Sequence, residues 1–166
     1  MQRTSDAISV QPVQSVQSVQ SVQPVKSVQP VTIFLGGACG TTVWRQAVIP
    51  LLIERNMTFY NPQVPANEWH EGLMAEELFH KESSKIRLFV IGRETRAVAS
   101  MAEAAYYIGQ GKKVILVIQP YPETMETLNE SADMNRGRAY LRQIAEQNNV
   151  HIYDDAVAAV AAVRKA

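Results

Sequence analysis

Two almost unbroken apolar runs in the second half of the chain restrict the folds that it can adopt. They read IRLFVI at 86–91 and KVILVI at 113–118, without the regular alternation of apolar and polar residues that marks a strand with one wet face. Strands of this composition lie in the centre of parallel sheets, where helices cover both faces. We therefore expect a parallel sheet between two layers of helices.

The chain after residue 30 alternates short β-rich segments with longer amphipathic ones. The predicted strands cover 31–35, 57–60, 86–91, 113–118 and 150–153, and the predicted helices cover about 43–55, 70–84, 98–110, 133–148 and 154–165. Asp133 and Asp154 are the expected N-caps of the last two helices, and Gly109 and Gly111 are expected to end the third. Right-handed crossovers then predict an α/β fold of the flavodoxin-like kind, a doubly wound open sheet of five parallel strands in the order 2-1-3-4-5 within three α/β/α layers.

Residues 1–30 have a different texture. From Val10 to Pro30 the chain repeats Val-Gln-Ser or Val-Gln-Pro, a period of three that fits polyproline II better than a helix or a strand. A short β-solenoid is the weaker alternative, because the repeat lacks glycine or asparagine corners. We predict a disordered or extended leader over 1–30 and one domain over 31–166.

Composition narrows the setting and the partners. Lysine plus arginine and aspartate plus glutamate both number 16, so the net charge does not favour nucleic acid or an anionic membrane. The single cysteine, Cys39, cannot form an internal disulfide, and no apolar run approaches the ~20 residues that span a bilayer. We expect a soluble cytoplasmic protein with a small-molecule partner, and we expect no metal or cofactor.

Three loops follow the first three predicted strands and should share one crevice, since ligands bind beyond the carboxyl ends of strands 1 and 3 in this fold. They read GGACGTT at 36–42, NPQVPANEW at 61–69 and GRETRA at 92–97. The first leads into a helix whose free N–H groups favour a phosphate or ribose, although tight turns often need glycine for their own geometry. The candidate contacts with a substrate are Gly36, Gly37, Arg45, Asn61, Trp69, Gly92 and Arg93.

Each of these side chains also has a plain structural interpretation. Arg45 either holds a carboxylate or phosphate or pairs with an acidic neighbour. Trp69 either stacks on a base or sugar or packs the second helix on the sheet. Arg136 and Arg138 either contact a phosphate or lie at the surface of a helix start. The segment 119–132, rich in proline and acid, is a candidate lid over the crevice.

Glu103 stands alone in the small, apolar stretch AVASMAEAAYYIGQG at 97–111. If the helix begins at Ser100, Ser100-Met-Ala-Glu103 is a capping box in which the glutamate returns to the serine amide. If the helix begins nearer Thr95, the carboxylate lies within it and has the character of a nucleophile or base. The residues alone leave both alternatives open.

Four segments resemble the nucleoside 2-deoxyribosyltransferase-like domains. They are IFLGG at 33–37, WRQAVIPLL at 44–52, YNPQV at 60–64 and TRAVASMAEAAYYIGQGKKVILVI at 95–118. The resemblance covers about residues 31–120, and DMNRGRAYL at 133–141 is similar to the eukaryotic-type branch. It implies that Glu103 attacks the anomeric carbon of a nucleoside or nucleotide and releases the base, after which a second base or water resolves the glycosyl-enzyme.

The same resemblance marks several departures and adds site residues. Phe34 occupies the position of a tyrosine that hydrogen-bonds the nucleophile, and Ala97 that of an aspartate. Glu94 is the substitute acid that would protonate the leaving base, while Arg93 and Arg96 suit a phosphate. Phe34 and Ser100 complete the expected substrate contacts, and the family implies a homo-oligomer.

Two other functions stay open beside this N-glycosidic-bond transferase or hydrolase. The missing tyrosine and aspartate are consistent with an inactive nucleotide-binding or protein-interaction module that keeps the fold. A similarity to Toll-receptor-like NAD-cleaving domains, which share an open sheet and a catalytic glutamate, makes NAD cleavage a third possibility at the level of fold analogy.

Overall fold

The computed structural model describes residues 29–68, 70–125 and 127–163. The leader predicted over 1–30 lies outside the described residues except for its last two, and Trp69 lies outside them as well. The strands are β1 (Ile33–Gly37), β2 (Phe59–Tyr60), β3 (Ile86–Ile91), β4 (Val114–Ile118) and β5 (Ile152–Tyr153). The helices are α1 (Trp44–Glu54), α2 (Gly72–Ser83), α3 (Val98–Gly109), α4 (Leu128–Gln147) and α5 (Ala156–Ala161), with a short 3-10 turn at Ala66–Glu68.

The sheet is parallel throughout and has the order β2-β1-β3-β4-β5, so the predicted flavodoxin-like topology is confirmed. All six residues of β3 are buried, which agrees with its apolar run. Its side chains alternate between two cores: Leu88 and Val90 pack on the side of α1 and α5, whereas Phe89 and Ile91 pack on the side of α3 and α4. The three α/β/α layers therefore follow directly from strands that are apolar on both faces.

The two ends of α3 determine where Glu103 lies within the helix. Gly111 has φ +67°, a left-handed conformation that glycine adopts without penalty, so the predicted glycine stop after Gly109 is confirmed. At the other end, Ala97 is the N-cap residue and is itself left-handed, with φ +53°. The first helical residue is Val98, which lies between the two predicted starts.

The predictions for the last two helices need correction. Helix α4 begins at Leu128, so Asp133 lies inside it, and the N-cap of α5 is Asp155, whose Oδ1 accepts from the amide of Ala158 at 2.8 Å. The earlier start of α4 shortens the predicted lid segment. Its beginning is also tied to α4, because Tyr121 exchanges two hydrogen bonds with the Asn135 side chain at 2.7 and 3.0 Å. Among the helices described, none is both long and apolar enough to cross a membrane.

Candidate active site

Two adjoining hollows lie beside the carboxyl ends of β1 and β2 and along α2. The first, of about 900 Å³, is formed by the loop after β1, the segment after β2 and the start of α2. Its lining residues are Cys39, Gly40, Thr41, Tyr60, Pro62, Gln63, Val64, Pro65, Leu73 and Glu77. The second, of about 470 Å³, is lined by Met74, Ala75, Glu77, Leu78, Lys81 and Glu103. Glu77 lines both, so the two hollows meet at this carboxylate.

Glu103 is not part of a helix cap. Because α3 starts at Val98, Ser100 is its third residue and cannot be the N-cap of a capping box. Ser100 is buried, with 6% of its surface exposed. The Glu103 carboxylate instead leaves α3 toward α2, where it accepts a hydrogen bond of 2.5 Å from the Lys81 ammonium. The capping alternative is therefore wrong, and the carboxylate lines an open hollow.

Lys81 binds two carboxylates at once. Its Nζ lies 2.7 Å from Glu77 Oε1 and 2.5 Å from Glu103 Oε1. The two carboxylate oxygens are therefore no more than about 5 Å apart. The lysine side chain is 12% exposed, whereas the two glutamates are each about a third exposed. Two carboxylates therefore line the hollows, and the same largely buried ammonium binds both of them.

The protonation of Lys81 follows from these contacts. Burial lowers its pKa, but hydrogen bonds from the ammonium to Glu103 and Glu77 outweigh that effect, and the net pKa is raised above the usual value for lysine. The ammonium is therefore charged at neutral pH. Lys81 is not among the site residues that the sequence predicts. The i, i+4 spacing of Glu77 and Lys81 was a readable signal, whereas the contact with Glu103 depends on how α2 packs against α3.

Phe34 forms the floor under this cluster. Its side chain is fully buried, its ring stacks at 6.0 Å from the ring of Tyr60, and the Lys81 Nζ lies 5.6 Å from its centroid. Tyr60 lines the first hollow and stacks on His80 at 4.1 Å. Burial, with help from Glu76 and Glu77, raises the pKa of Tyr60 to about 12, so its phenol is neutral and can donate a hydrogen bond. Phe34 thus supports the site from below.

The glycines at the end of β1 are explained by packing against β3. A Cβ on Gly36 would lie 2.5 Å from the ring of Phe89, and a Cβ on Gly37 would lie 2.7 Å from the carbonyl oxygen of Val90. Gly37 also has φ +137°, which strains any other residue. The predicted role of these two glycines in admitting a ligand stays untested, but neither lines the two hollows.

Arg45 holds the first loop in place. It is 1% exposed, and its five N–H groups point to the carbonyl oxygens of Leu35, Gly37 and Ala38 and to Thr42 Oγ1, at 2.9 to 3.3 Å. The sequence suggested that Arg45 binds a carboxylate or phosphate or pairs with an acidic neighbour. Neither interpretation fits, because the guanidinium donates to backbone carbonyl oxygens and a hydroxyl group and has no donor left for a substrate.

The second loop is tied to the first by Gln63. Its Nε2 donates to the carbonyl oxygens of Cys39, Gly40 and Thr42 at 2.6, 2.9 and 3.0 Å. Asn61 starts this loop, and its Oδ1 accepts from the amide of Gln63 at 3.0 Å, which closes a local turn. Asn61 therefore contributes to the shape of the first hollow through Gln63.

The third loop faces α4. Arg138 of α4 is buried and donates to the carbonyl oxygens of Gly92, Thr95 and Gln119 at 3.0, 2.8 and 2.9 Å, so it neither contacts a phosphate nor decorates a helix start. The Glu94 carboxylate folds back over Gly92, 2.5 Å from where a Cβ of that glycine would lie.

The charged side chains of the third loop do not reach the site. Arg93 is exposed, and the exposed Arg96 pairs with Glu130 at 2.5 Å. Gly92, Arg93, Glu94 and Arg96 line neither hollow. The structure therefore brings Glu103 together with Glu77, Lys81 and Phe34 rather than with Glu94.

Comparison with known proteins gives one family match. The family described as "Nucleoside 2-deoxyribosyltransferase like" matches residues 30–121. No curated protein matches the chain. Among solved structures, the TIR domains in the activated Roq1 resistosome directly recognizing the pathogen effector XopQ are similar, with 12% identity, 70% of this chain and 84% of that chain covered, and a TM-score of 0.42.

Proposed function

Since the chain belongs to the nucleoside 2-deoxyribosyltransferase-like family, we propose that it cleaves the N-glycosidic bond of a nucleoside with Glu103 as the nucleophile. One observation carries this proposal: the Glu103 carboxylate lies at a hollow, 2.5 Å from the Lys81 ammonium, which also binds the Glu77 carboxylate. A helix cap would have turned the same carboxylate toward the backbone.

The chemistry needs two steps. A Glu103 oxygen forms a bond to the anomeric carbon while the C–N bond breaks, and the electron pair leaves with the base. An incoming base or water then attacks the anomeric carbon, the bond from that carbon to the Glu103 oxygen breaks and restores the carboxylate, and the incoming group gives up a proton. Glu77 accepts that proton and passes it to solvent, from which the released base takes a proton, so Glu77 is charged again before the next cycle. We prefer Glu77 to Glu94 for this role because Glu77 lines both hollows and Glu94 lines neither.

The charges at the site favour an unphosphorylated substrate. Lys81 is the one cation among the residues that line the two hollows, and it already binds two carboxylates. A 5′-phosphate would meet this net negative cluster without a free basic partner, which costs desolvation energy. The apolar lining of Pro62, Val64, Pro65 and Leu73 suits the face of a base. We therefore revise the expectation that the arginines select a phosphate.

A substrate panel tests the proposed function. Purified protein is incubated with nucleosides and their 5′-monophosphates, with and without an acceptor base, and base release and exchange are followed by chromatography. We expect release from nucleosides, and an added acceptor base distinguishes a transferase from a hydrolase. If no compound releases base but calorimetry shows saturable heat with a nucleoside, the protein is a binding module; if neither is seen, the site has no nucleoside function.

The arginines provide a separate check on substrate choice. Arg93→Ala and Arg96→Ala are expected to change KM for a nucleoside by less than about twofold, because surface substitutions away from a site have small effects. Steady-state kinetics of both variants measures this. An increase of tenfold or more in KM for a monophosphate, with no change for the nucleoside, would show that the third loop binds phosphate and that the site is wider than the two hollows.

A further inference from the structure

Lys81 connects the proposed nucleophile to α2. Two of the three N–H donors of its ammonium are directed at Glu77 and Glu103, and its Nζ lies over the ring of Phe34, 5.6 Å from the centroid. We propose that Lys81 is the positioning residue of Glu103. This inference rests on the proposed function of Glu103.

A second group of side-chain contacts joins α2 to the region of α3 beside this one. One residue further along α2, Glu82 accepts from the Tyr107 hydroxyl at 3.0 Å and pairs with Lys112 at 3.7 Å. Those contacts join α2 to α3 and to the segment that follows it, on the side where Lys81 meets Glu103. A flexible lysine held between two carboxylates loses much of its conformational freedom. It can therefore direct one oxygen of Glu103 and leave the other to attack.

Glu77 explains how a buried lysine can serve a nucleophile that loses its charge. When Glu103 forms an ester, its negative charge disappears. With Glu103 as its only partner, the largely buried Lys81 ammonium would then be unpaired, which is costly. Glu77 remains charged, so the Lys81–Glu77 pair is neutral in the covalent intermediate. Before that step the cluster carries one net negative charge, which stabilises an oxocarbenium-like transition state.

The test compares Lys81→Met, which keeps the stem but removes the charge, with Lys81→Arg, which keeps the charge. We expect Lys81→Met to lower kcat about 10²-fold, the order of effect caused by misplacing a reacting group, with KM changed less than threefold. Lys81→Arg is expected to regain most of kcat. If Lys81→Met keeps kcat within threefold of wild type while Glu103→Ala abolishes base release, Lys81 does not position the nucleophile.

A second measurement does not require turnover. The ¹⁵N signal of a lysine ammonium persists at mildly acidic pH when an ion pair slows its exchange with water, and Lys81→Arg identifies the signal of Lys81. We expect this signal to shift in Glu103→Gln, where one of the two carboxylate partners is lost and Glu77 remains, and to be unchanged in Glu146→Gln, an exposed position on α4. An unchanged signal in Glu103→Gln would overturn the proposed contact. If the signal responds but wild type releases no base, the proposed function fails and the contact is a structural ion pair.

Thermal melting of each variant shows whether it is folded. A folded Lys81→Met with low kcat supports positioning. If Lys81→Met is unfolded, Lys81→Arg decides the question, because a folded Lys81→Arg without regained activity contradicts the proposal.

Discussion

Glu103→Ala is expected to lower the rate of base release by about 10⁴-fold or more, the order seen when a covalent nucleophile is removed from other enzymes. Without the Glu103 carboxylate, the carboxylate left in the second hollow is Glu77, which lies on α2 rather than α3 and so does not occupy the position of the nucleophile. Chromatographic measurement of the released base, under single-turnover and steady-state conditions, gives kcat for both proteins.

The fold should survive this substitution. Lys81 keeps Glu77 as a partner at 2.7 Å, and Glu103 lies in the second turn of α3, where alanine is a good helix former. Glu146→Ala, the same change at an exposed position of α4, is the matched control and is expected to retain wild-type activity. Formate, a small carboxylate that fits the vacated space, should restore part of the base release in Glu103→Ala. Equal rates in wild type and Glu103→Ala would exclude Glu103 as the nucleophile.

The topology could be predicted because its determinants are local. Two apolar runs separated by one helix require central parallel strands, and the right-handed crossover rule leaves few arrangements for the others. The edge of the sheet that carries the site follows from that topology. The boundaries of segments were harder to predict, and α4 starts five residues before the predicted position. Its side chains Asn135 and Ser131 bind the backbone of Tyr121 and Pro122, and no local sequence pattern reveals these contacts.

The candidate site could be predicted only in part. Glu103 is conspicuous among alanines, so its position drew attention without any knowledge of its partners. Lys81 lies 22 residues away on another helix, and such a pairing depends on helix packing rather than on sequence spacing. For two arginines the sequence allowed a contact with a ligand, because a guanidinium close to glycines suggests anion binding. In the structure, Arg45 and Arg138 instead donate hydrogen bonds to carbonyl oxygens of the loops that shape the site.

Arg45→Met is the second large effect that we expect, and it concerns stability. The substitution keeps an unbranched side chain but removes the donors from the carbonyl oxygens of Leu35 and Gly37, whereas Ala38 keeps the Thr42 hydroxyl as a donor at 2.9 Å. Each buried polar group left without a partner costs about 1–3 kcal/mol, so we expect the free energy of unfolding to fall by about 3 kcal/mol or more. Urea denaturation followed by circular dichroism measures the change.

The neighbouring Gln46→Met is the matched control, because Gln46 is exposed on the same turn of α1 and its loss should change stability by no more than about 0.5 kcal/mol. Arg45→Lys should recover little, since an ammonium cannot reproduce the five-donor fork of a guanidinium. An arginine that binds substrate would behave differently: its removal would leave stability nearly unchanged and raise KM. A stable Arg45→Met with a raised KM would therefore show that Arg45 contacts the substrate. A destabilised Arg45→Met would instead identify Arg45 as the residue that holds the first loop in place.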